Sequence, residues 1–388
     1  MNCHVQKFCI PFEYPVHFTR NIFDPDNADL VELIRRNEPD RRHKVFIIID
    51  DGVARVWPRL THSINRYVEK YSQHLELVDQ PLVIAGGEAA KNDPHGPAML
   101  HRRFFELHLD RQSFVIIIGG GAVQDMAGYA AATTHRGLRV VRVPTTVLSQ
   151  NDSGVGVKNG INAFGVKNFL GAFAPPFAVL DDFDFIQTLS DRDKIAGIPE
   201  SVKVALIRDA EFFVWLRDHV EDLRNFEPEA MFWMIKRGAE LHLNHIATSG
   251  DPFEQGAARP LDFGHWAGHK LESMTDYRLR HGEAVAIGMA LDACYSQEIG
   301  LLSGDDLQEI IDLLAGLGVT LWDDAITQKD SDGRLEVLGG LREFQEHLGG
   351  ELTVTLLKGI GRGVEVHEMD EEVIIRCIED LKKRARKG

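Results

Sequence analysis

FVIIIGGGAVQDMAGYAAA, residues 114–132, is an apolar strand, a glycine turn and a helix-forming run in immediate succession. The five apolar residues Phe114–Ile118 have the length and composition of a strand buried on both faces. Gly119, Gly120 and Gly121 carry no Cβ, so the backbone there can approach a bound diphosphate, and the helix that follows offers unpaired N–H groups. The string departs from the GxGxxG fingerprint; taken alone it also describes a plain strand-to-helix turn.

The same grammar extends upstream. Lys44–Ile49 (KVFIII) is a compact strand followed by Asp50 and Asp51; Ile64–Leu75 has helical character; Leu82–Ile84 is a short strand ending at Gly86, Gly87 and Glu88; Pro97–Leu109 is helical again. Strands alternating with helix-length segments predict an α/β layer with both sheet faces covered. Asp50, Glu88 and Lys91 each follow a strand, where a cofactor crevice opens in such sheets, and Asp50 can accept hydrogen bonds from a ribose. Each could equally be a solvated loop charge.

After about residue 190 the texture becomes helical: Ile195–Asp218, Glu227–Ile246, Phe263–Glu272, Glu283–Ile299 and Leu301–Leu317, with a late strand at Leu352–Leu357 and a Gly-, Pro- and acid-rich loop at Ser249–Pro260. A chain of 388 residues exceeds what one core usually supports. The expected architecture is therefore an α/β Rossmann-like domain over residues 1–185, followed by a mostly α-helical metal and substrate domain over residues 186–388.

Composition limits the function. With 44% apolar and 26% charged residues the chain is an ordinary globular protein. Lys and Arg number 43 against 59 Asp and Glu, a formal charge of −16, which disfavours nucleic acid and acidic membranes but leaves a small anionic substrate open. Cys3, Cys9, Cys294 and Cys377 are too scattered for a disulfide framework or a metal finger. The apolar runs are short of a membrane span and the amino terminus lacks a secretory pattern, so a cytoplasmic enzyme is expected.

His265, His269, Glu272, His281 and Glu283 crowd one short region, with His265 and His269 one helical turn apart. A catalytic divalent metal takes three protein ligands and keeps a position for water or substrate. His265 and His281 with Glu200, from AGIPESVKVALIRD, meet that demand. Spacing alone also permits His269 as ligand with His265 orienting it, or histidines that merely cap and pack helices. Lys203 is about one turn from Glu200, placed to meet substrate oxygens or bridge to the carboxylate. The strip PTTVLSQNDSGVGVKNGINAFGVKN, residues 144–168, reads as a loop that could gather Asp152, Lys158 and Asn168 around a phosphate and hydroxyls, or as a Gly-rich solvent loop. Arg136 could reach the same site or one in a neighbouring subunit.

These segments, with LDFGHWAGHKLE and HGEAVAIGMALD, occur in the order found in the sugar phosphate cyclase superfamily, and the chain resembles its 3-dehydroquinate synthase-like members over roughly residues 45–380. The resemblance implies Glu200, His265 and His281 as ligands of zinc or cobalt. It implies that Asp50, Glu88, Lys91, Gly120, Gly121, Asp125, Thr145 and Thr146 line an NAD site. Asp152, Lys158, Asn168, Lys203, His269 and His347 would meet a phosphorylated sugar, and Arg136 would contribute across a homodimer interface. The implied reaction is a lyase cycle: transient oxidation, β-elimination of phosphate, return of the hydride and aldol closure, with no net oxidation.

Three departures bear on substrate. Ala258 and Asp262 in AARPLDFGH replace an Arg and an Asn of dehydroquinate synthases, and Gln345 in FQEHLGG stands where a cation is usual; Pro199 also replaces a usual Ala beside Glu200. An Asp repels a substrate carboxylate and suits hydroxyls. The LDFGH variation and the late FQEHLGG segment resemble the sedoheptulose 7-phosphate cyclases, so the expectation is an enzyme of the 2-epi-5-epi-valiolone synthase kind. The alternatives are 3-dehydroquinate synthase, a metal-dependent polyol dehydrogenase and a non-catalytic nucleotide-binding homologue.

Overall fold

A computed structural model describes residues 3–164, 166–254, 260–347 and 350–386, the His347 side chain excepted. The chain forms two compact units, one of residues 1–144 and 157–182, the other of 145–156 and 183–388. The stretch 145–156 thus leaves the sheet unit and belongs with the helices.

The sheet unit is built on seven strands: β1 (Val16–Thr19), β2 (His43–Asp50), β3 (Leu75–Leu77), β4 (Leu82–Ile84), β5 (Phe114–Gly119), β6 (Arg139–Pro144) and, after the hairpin of β7 (Lys158–Ala163) and β8 (Val166–Phe173), β9 (Ala178–Asp182). Their order is β1-β9-β6-β5-β2-β3, with β4 continuing beside β3 along β2, and every pairing is parallel. Val45–Ile49 and Phe114–Ile118 are fully buried because helices cover both faces, which is why these strands read as unbroken apolar runs. Phe46, Ile48, Val115 and Ile117 pack with Leu100, Phe104, Met126 and Ala127 into one core cluster. The helix Gly121–Thr133 starts directly at the carboxyl end of β5, as the glycine turn predicts.

The strip expected as a loop is ordered in two ways. Ser149–Ser153 forms a single π-helical turn, and Lys158–Phe173 is the β7–β8 hairpin, antiparallel with a bulge near Ile161. Its second strand is exposed on both faces, so no apolar alternation marks it.

The helical unit holds Asp191–Arg208, Ala210–Asp218, Pro228–Thr248, His265–Met274, His281–Glu298, Gly304–Gly316 and Glu371–Ala385 as its main helices. The expected single helix Ile195–Asp218 is two, because Asp209 leaves helical geometry and its carboxylate caps the second by accepting from the Phe212 N–H at 3.1 Å. A late hairpin, β10 (Val354–Leu357) with β11 (Gly363–Val366), completes the unit. Among the described residues no helix is long and apolar enough to cross a membrane.

Candidate metal and substrate centre

The helix His281–Glu298 is buried along nearly its whole length and carries glycines where neighbouring backbones touch it. A Cβ on Gly282 would fall 1.7 Å from the carbonyl oxygen of Ala196, in the helix that bears Glu200; one on Gly288 would fall 2.0 Å from that of Gly264, beside His265. Glycine at these two places lets both neighbours close in. Gly264 itself sits at φ +78°, a turn that starts the helix His265–Met274. The glycines of HGEAVAIGMALD therefore serve to bring Glu200, His265 and His281 together.

The rings of His265, His269 and His281 form a triangle with centroids 5.2, 5.4 and 5.6 Å apart. One nitrogen of each lies within 4.8 Å of the others, an arrangement able to hold a metal ion. Two of the three are aimed by their other nitrogen. His265 Nδ1 donates to the Phe263 carbonyl at 3.1 Å and His281 Nδ1 to the Glu272 carboxylate at 3.0 Å. Those acceptors fix the tautomer and turn each Nε2 toward the centre. Both Nε2 atoms face Glu200 Oε1, at 3.8 and 3.5 Å, and that buried oxygen makes no hydrogen bond of good geometry. A buried, unsatisfied carboxylate oxygen between two oriented imidazoles fits a divalent cation well. His269 supplies a third imidazole facing both.

Charge follows the same logic. Burial pushes the Glu200 carboxyl up, but the Lys203 ammonium in contact with it, together with His281 and His265, holds it at about 2. Burial, with Lys203 adding to it, drops His265 to about 4, so its imidazole stays neutral and able to ligate. Burial pulls Lys203 down, yet Glu200 and Asp152 keep it above its usual value. Asp152 lies 3.9 Å from Lys203 Nζ and accepts from His242 Nδ1 at 2.8 Å; against burial, Lys203 and the contact with His242 hold it well below the carboxylate range. The π-helical turn carrying Asp152 is tied to the Glu200 helix by the Asn151 amide, which donates to the Gly197 carbonyl and Ser201 hydroxyl, each at 2.9 Å. The sequence places Glu272 in the histidine-rich cluster without a role and does not mark His242; each acts through a partner on another helix, which spacing does not reveal.

In the sheet unit the strand exits converge as expected. Asp50 caps the helix after β2 by accepting from the Gly52 N–H at 2.7 Å, and burial pushes its carboxyl up. Cβ atoms on Gly86 and Gly119, at the ends of β4 and β5, would fall 2.3 and 3.0 Å from the Asp50 side chain. Gly120 and Gly121 open the next helix, an N-terminus suited to phosphate. Lys91 is buried, donating to Asp125 at 2.8 Å and to Asn168, while Glu88 accepts from Asn162 at 2.9 Å. Thr145 and Thr146 belong to the helical unit, where Thr146 and Ser149 hydroxyls bond at 2.8 Å.

Other expected groups are dispersed. Lys158 opens β7 opposite Phe173, whereas Asn168 lies toward the hairpin's other end, so the hairpin does not gather them. Arg136, at φ +66°, lines a cavity of about 580 Å³ with Arg111, Arg139 and Arg142 at the amino ends of β5 and β6, the opposite edge from the glycine turn. Gln345 donates to the Gly350 carbonyl at 2.8 Å. Ala258, Arg259 and the His347 side chain lie outside the described residues. Asp262 acts electrostatically on both Lys203 and His265.

A Rossmann-like parallel sheet unit with a glycine turn, joined to a helical unit with a histidine-rich metal centre, defines the class of protein. Profiles of the 3-dehydroquinate synthase N-terminal and C-terminal domains match residues 81–196 and 197–337. The 3-dehydroquinate synthase of Geobacillus kaustophilus is 34% identical over 377 residues, covering 92% of this chain and 100% of that protein. That of Geotalea uraniireducens is 44% identical over 210 residues, a match spanning 54% of this chain and 58% of the other. The 2-epi-5-epi-valiolone synthase of Streptomyces hygroscopicus, solved with NAD+ and Zn2+ bound, is 26% identical, with TM-score 0.85 and coverage of 98% and 100%. The chain belongs to the 3-dehydroquinate synthase family, within the sugar phosphate cyclase superfamily. Its activity at that level is an NAD- and metal-dependent sugar phosphate lyase.

Proposed function

We propose that the chain converts a ketose phosphate into a carbocycle with loss of inorganic phosphate, using a divalent metal held by Glu200, His265 and His281. The observation that carries this reading is the unsatisfied Glu200 oxygen facing two imidazoles of fixed tautomer. NAD supplies a hydride acceptor regenerated within the cycle, and zinc or cobalt supplies the charge that acidifies the neighbouring C–H and hydroxyl. Asp50, Gly120, Gly121, Glu88, Lys91 and Asp125 hold the dinucleotide in the sheet unit. Lys203 and Asp152 orient substrate hydroxyls, the first as donor and the second as acceptor; His269 and His347 hold phosphate. Their contribution is alignment and electrostatics rather than covalent catalysis. We also read the chain as a cytoplasmic homodimer to which Arg136 contributes across the interface; sedimentation velocity checks the dimer.

For the substrate, the relatives weigh toward 3-dehydroquinate formation rather than sedoheptulose 7-phosphate, since those at 34–44% identity carry that name. Sedoheptulose 7-phosphate is retained as a second reading because the Asp262 carboxylate acts on Lys203 and His265, a poor setting for a substrate carboxylate. Incubation with NAD, zinc or cobalt and either the dehydroquinate precursor or sedoheptulose 7-phosphate, followed by phosphate assay and product mass, separates them. Release from the carboxylated substrate is the expected result. Release from sedoheptulose 7-phosphate alone selects the second reading, and release from neither, across a wider sugar phosphate panel, rejects the proposal.

A further inference from the structure

The helix that presents His281 carries a second acid, Asp292, about three turns further on and fully buried. Its Oδ1 accepts the indole N–H of Trp266 at 2.8 Å, and its Oδ2 accepts the backbone N–H of Gly264 at 2.9 Å. These two donors flank His265 on either side. The turn they belong to is pressed against the same helix: Gly264 has φ +78°, and a Cβ there would fall 2.6 Å from the Met289 backbone nitrogen. The acceptor that fixes the His265 tautomer, the Phe263 carbonyl, is part of this turn. An ionised carboxylate is the only short side chain that accepts on both oxygens; an amide in its place would turn a donor toward one of two N–H groups. Burying a carboxylate against neutral donors is costly, and burial pushes this one up to about 7. The convergence of donors from both sides of His265 on this one carboxylate points to a positional role.

We propose that Asp292 is a positioning residue for the metal centre: by gripping Gly264 and Trp266 together it fixes the direction in which His265 presents Nε2. This rests on the metal reading above. Outer partners of metal ligands are worth about 10–100-fold in metal affinity. The test uses the cobalt-loaded protein, measuring affinity by chelator competition and ligand geometry by the visible d–d absorption, for Asp292→Asn, Trp266→Phe and His281→Ala. Asp292→Asn should weaken cobalt binding about 10–100-fold and alter the d–d envelope. Trp266→Phe, which keeps the carboxylate and one of its bonds, should show a smaller shift of the same kind and decides the matter should the first variant fail to fold. Wild-type affinity and spectrum in Trp266→Phe and in folded Asp292→Asn, even with a lowered Tm, would overturn the positioning role while leaving the ligand assignment intact if His281→Ala loses cobalt. Wild-type cobalt binding by His281→Ala would overturn the ligand assignment and the positioning role together.

Discussion

Lys91 in the sheet unit and Lys203 in the helical unit are both buried and both touch a carboxylate, yet they sit in opposite electrostatic situations. Lys91 donates to the Asp125 carboxylate and to the neutral amide of Asn168. Lys203 faces Glu200 and Asp152 and also feels Asp262, while the surrounding His265 is held neutral. One buried cation against an excess of carboxylates leaves a negative balance that a divalent metal corrects. The difference teaches that a buried lysine is by itself no sign of a metal centre; what signals one is the uncompensated acid beside it, with oriented imidazoles aimed at that acid.

Breaking the unbalanced centre should have the largest effect. His281→Ala is expected to abolish turnover and metal retention, checked by elemental analysis after gel filtration; unchanged metal content would remove His281 from the ligand set. Lys203→Met leaves two buried carboxylates without their cation and should cost the metal-free protein about 3–5 kcal/mol in urea unfolding. Added zinc should recover part of that loss. Lys91→Met should cost a similar amount, with zinc recovering none, and equal zinc rescue of both variants would erase the distinction between the two lysines. A smaller effect is expected from Glu272→Gln, which can still accept from His281 Nδ1 but without charge: about a tenfold loss of metal affinity by chelator competition.

The smallest effect is a pH slope in the metal-free protein. His265 sits at about 4 when folded against 6.5 normally, so the native state binds fewer protons in that window and stability falls as pH drops from 6.5 to 4. Asp292 works the other way: raised to about 7 from 3.8, it binds more protons when folded, and its contribution is lost as pH rises across that range. Asp292→Asn removes the opposing contribution, so urea midpoints of the metal-free variant should fall more steeply than those of the wild type between pH 6.5 and 5.

Much of this architecture is legible in the amino-acid order. Val45–Ile49 and Phe114–Ile118 announce a doubly covered parallel sheet because burial on both faces leaves no room for polar residues. The hairpin strand Val166–Phe173 is hidden for the opposite reason, since exposure on both faces removes any period. At the metal centre, spacing points only to a histidine-rich cluster, and the grouping of Glu200 with His265 and His281 comes from the resemblance in motif order. The selection between His265 and His269 is not legible, because residues four apart share a helix face. Glu272, His242 and Asp292 act across helices, where sequence distance carries no signal.

The most direct test of the account follows phosphate and NADH in one vessel. The zinc- or cobalt-loaded protein is incubated with NAD and the dehydroquinate precursor or sedoheptulose 7-phosphate, with and without a chelator. The account predicts many equivalents of phosphate per protein, no accumulating NADH, and loss of phosphate release when the metal is withdrawn. NADH formed in step with substrate consumption and without phosphate would contradict it, and would mark the centre as that of a polyol dehydrogenase.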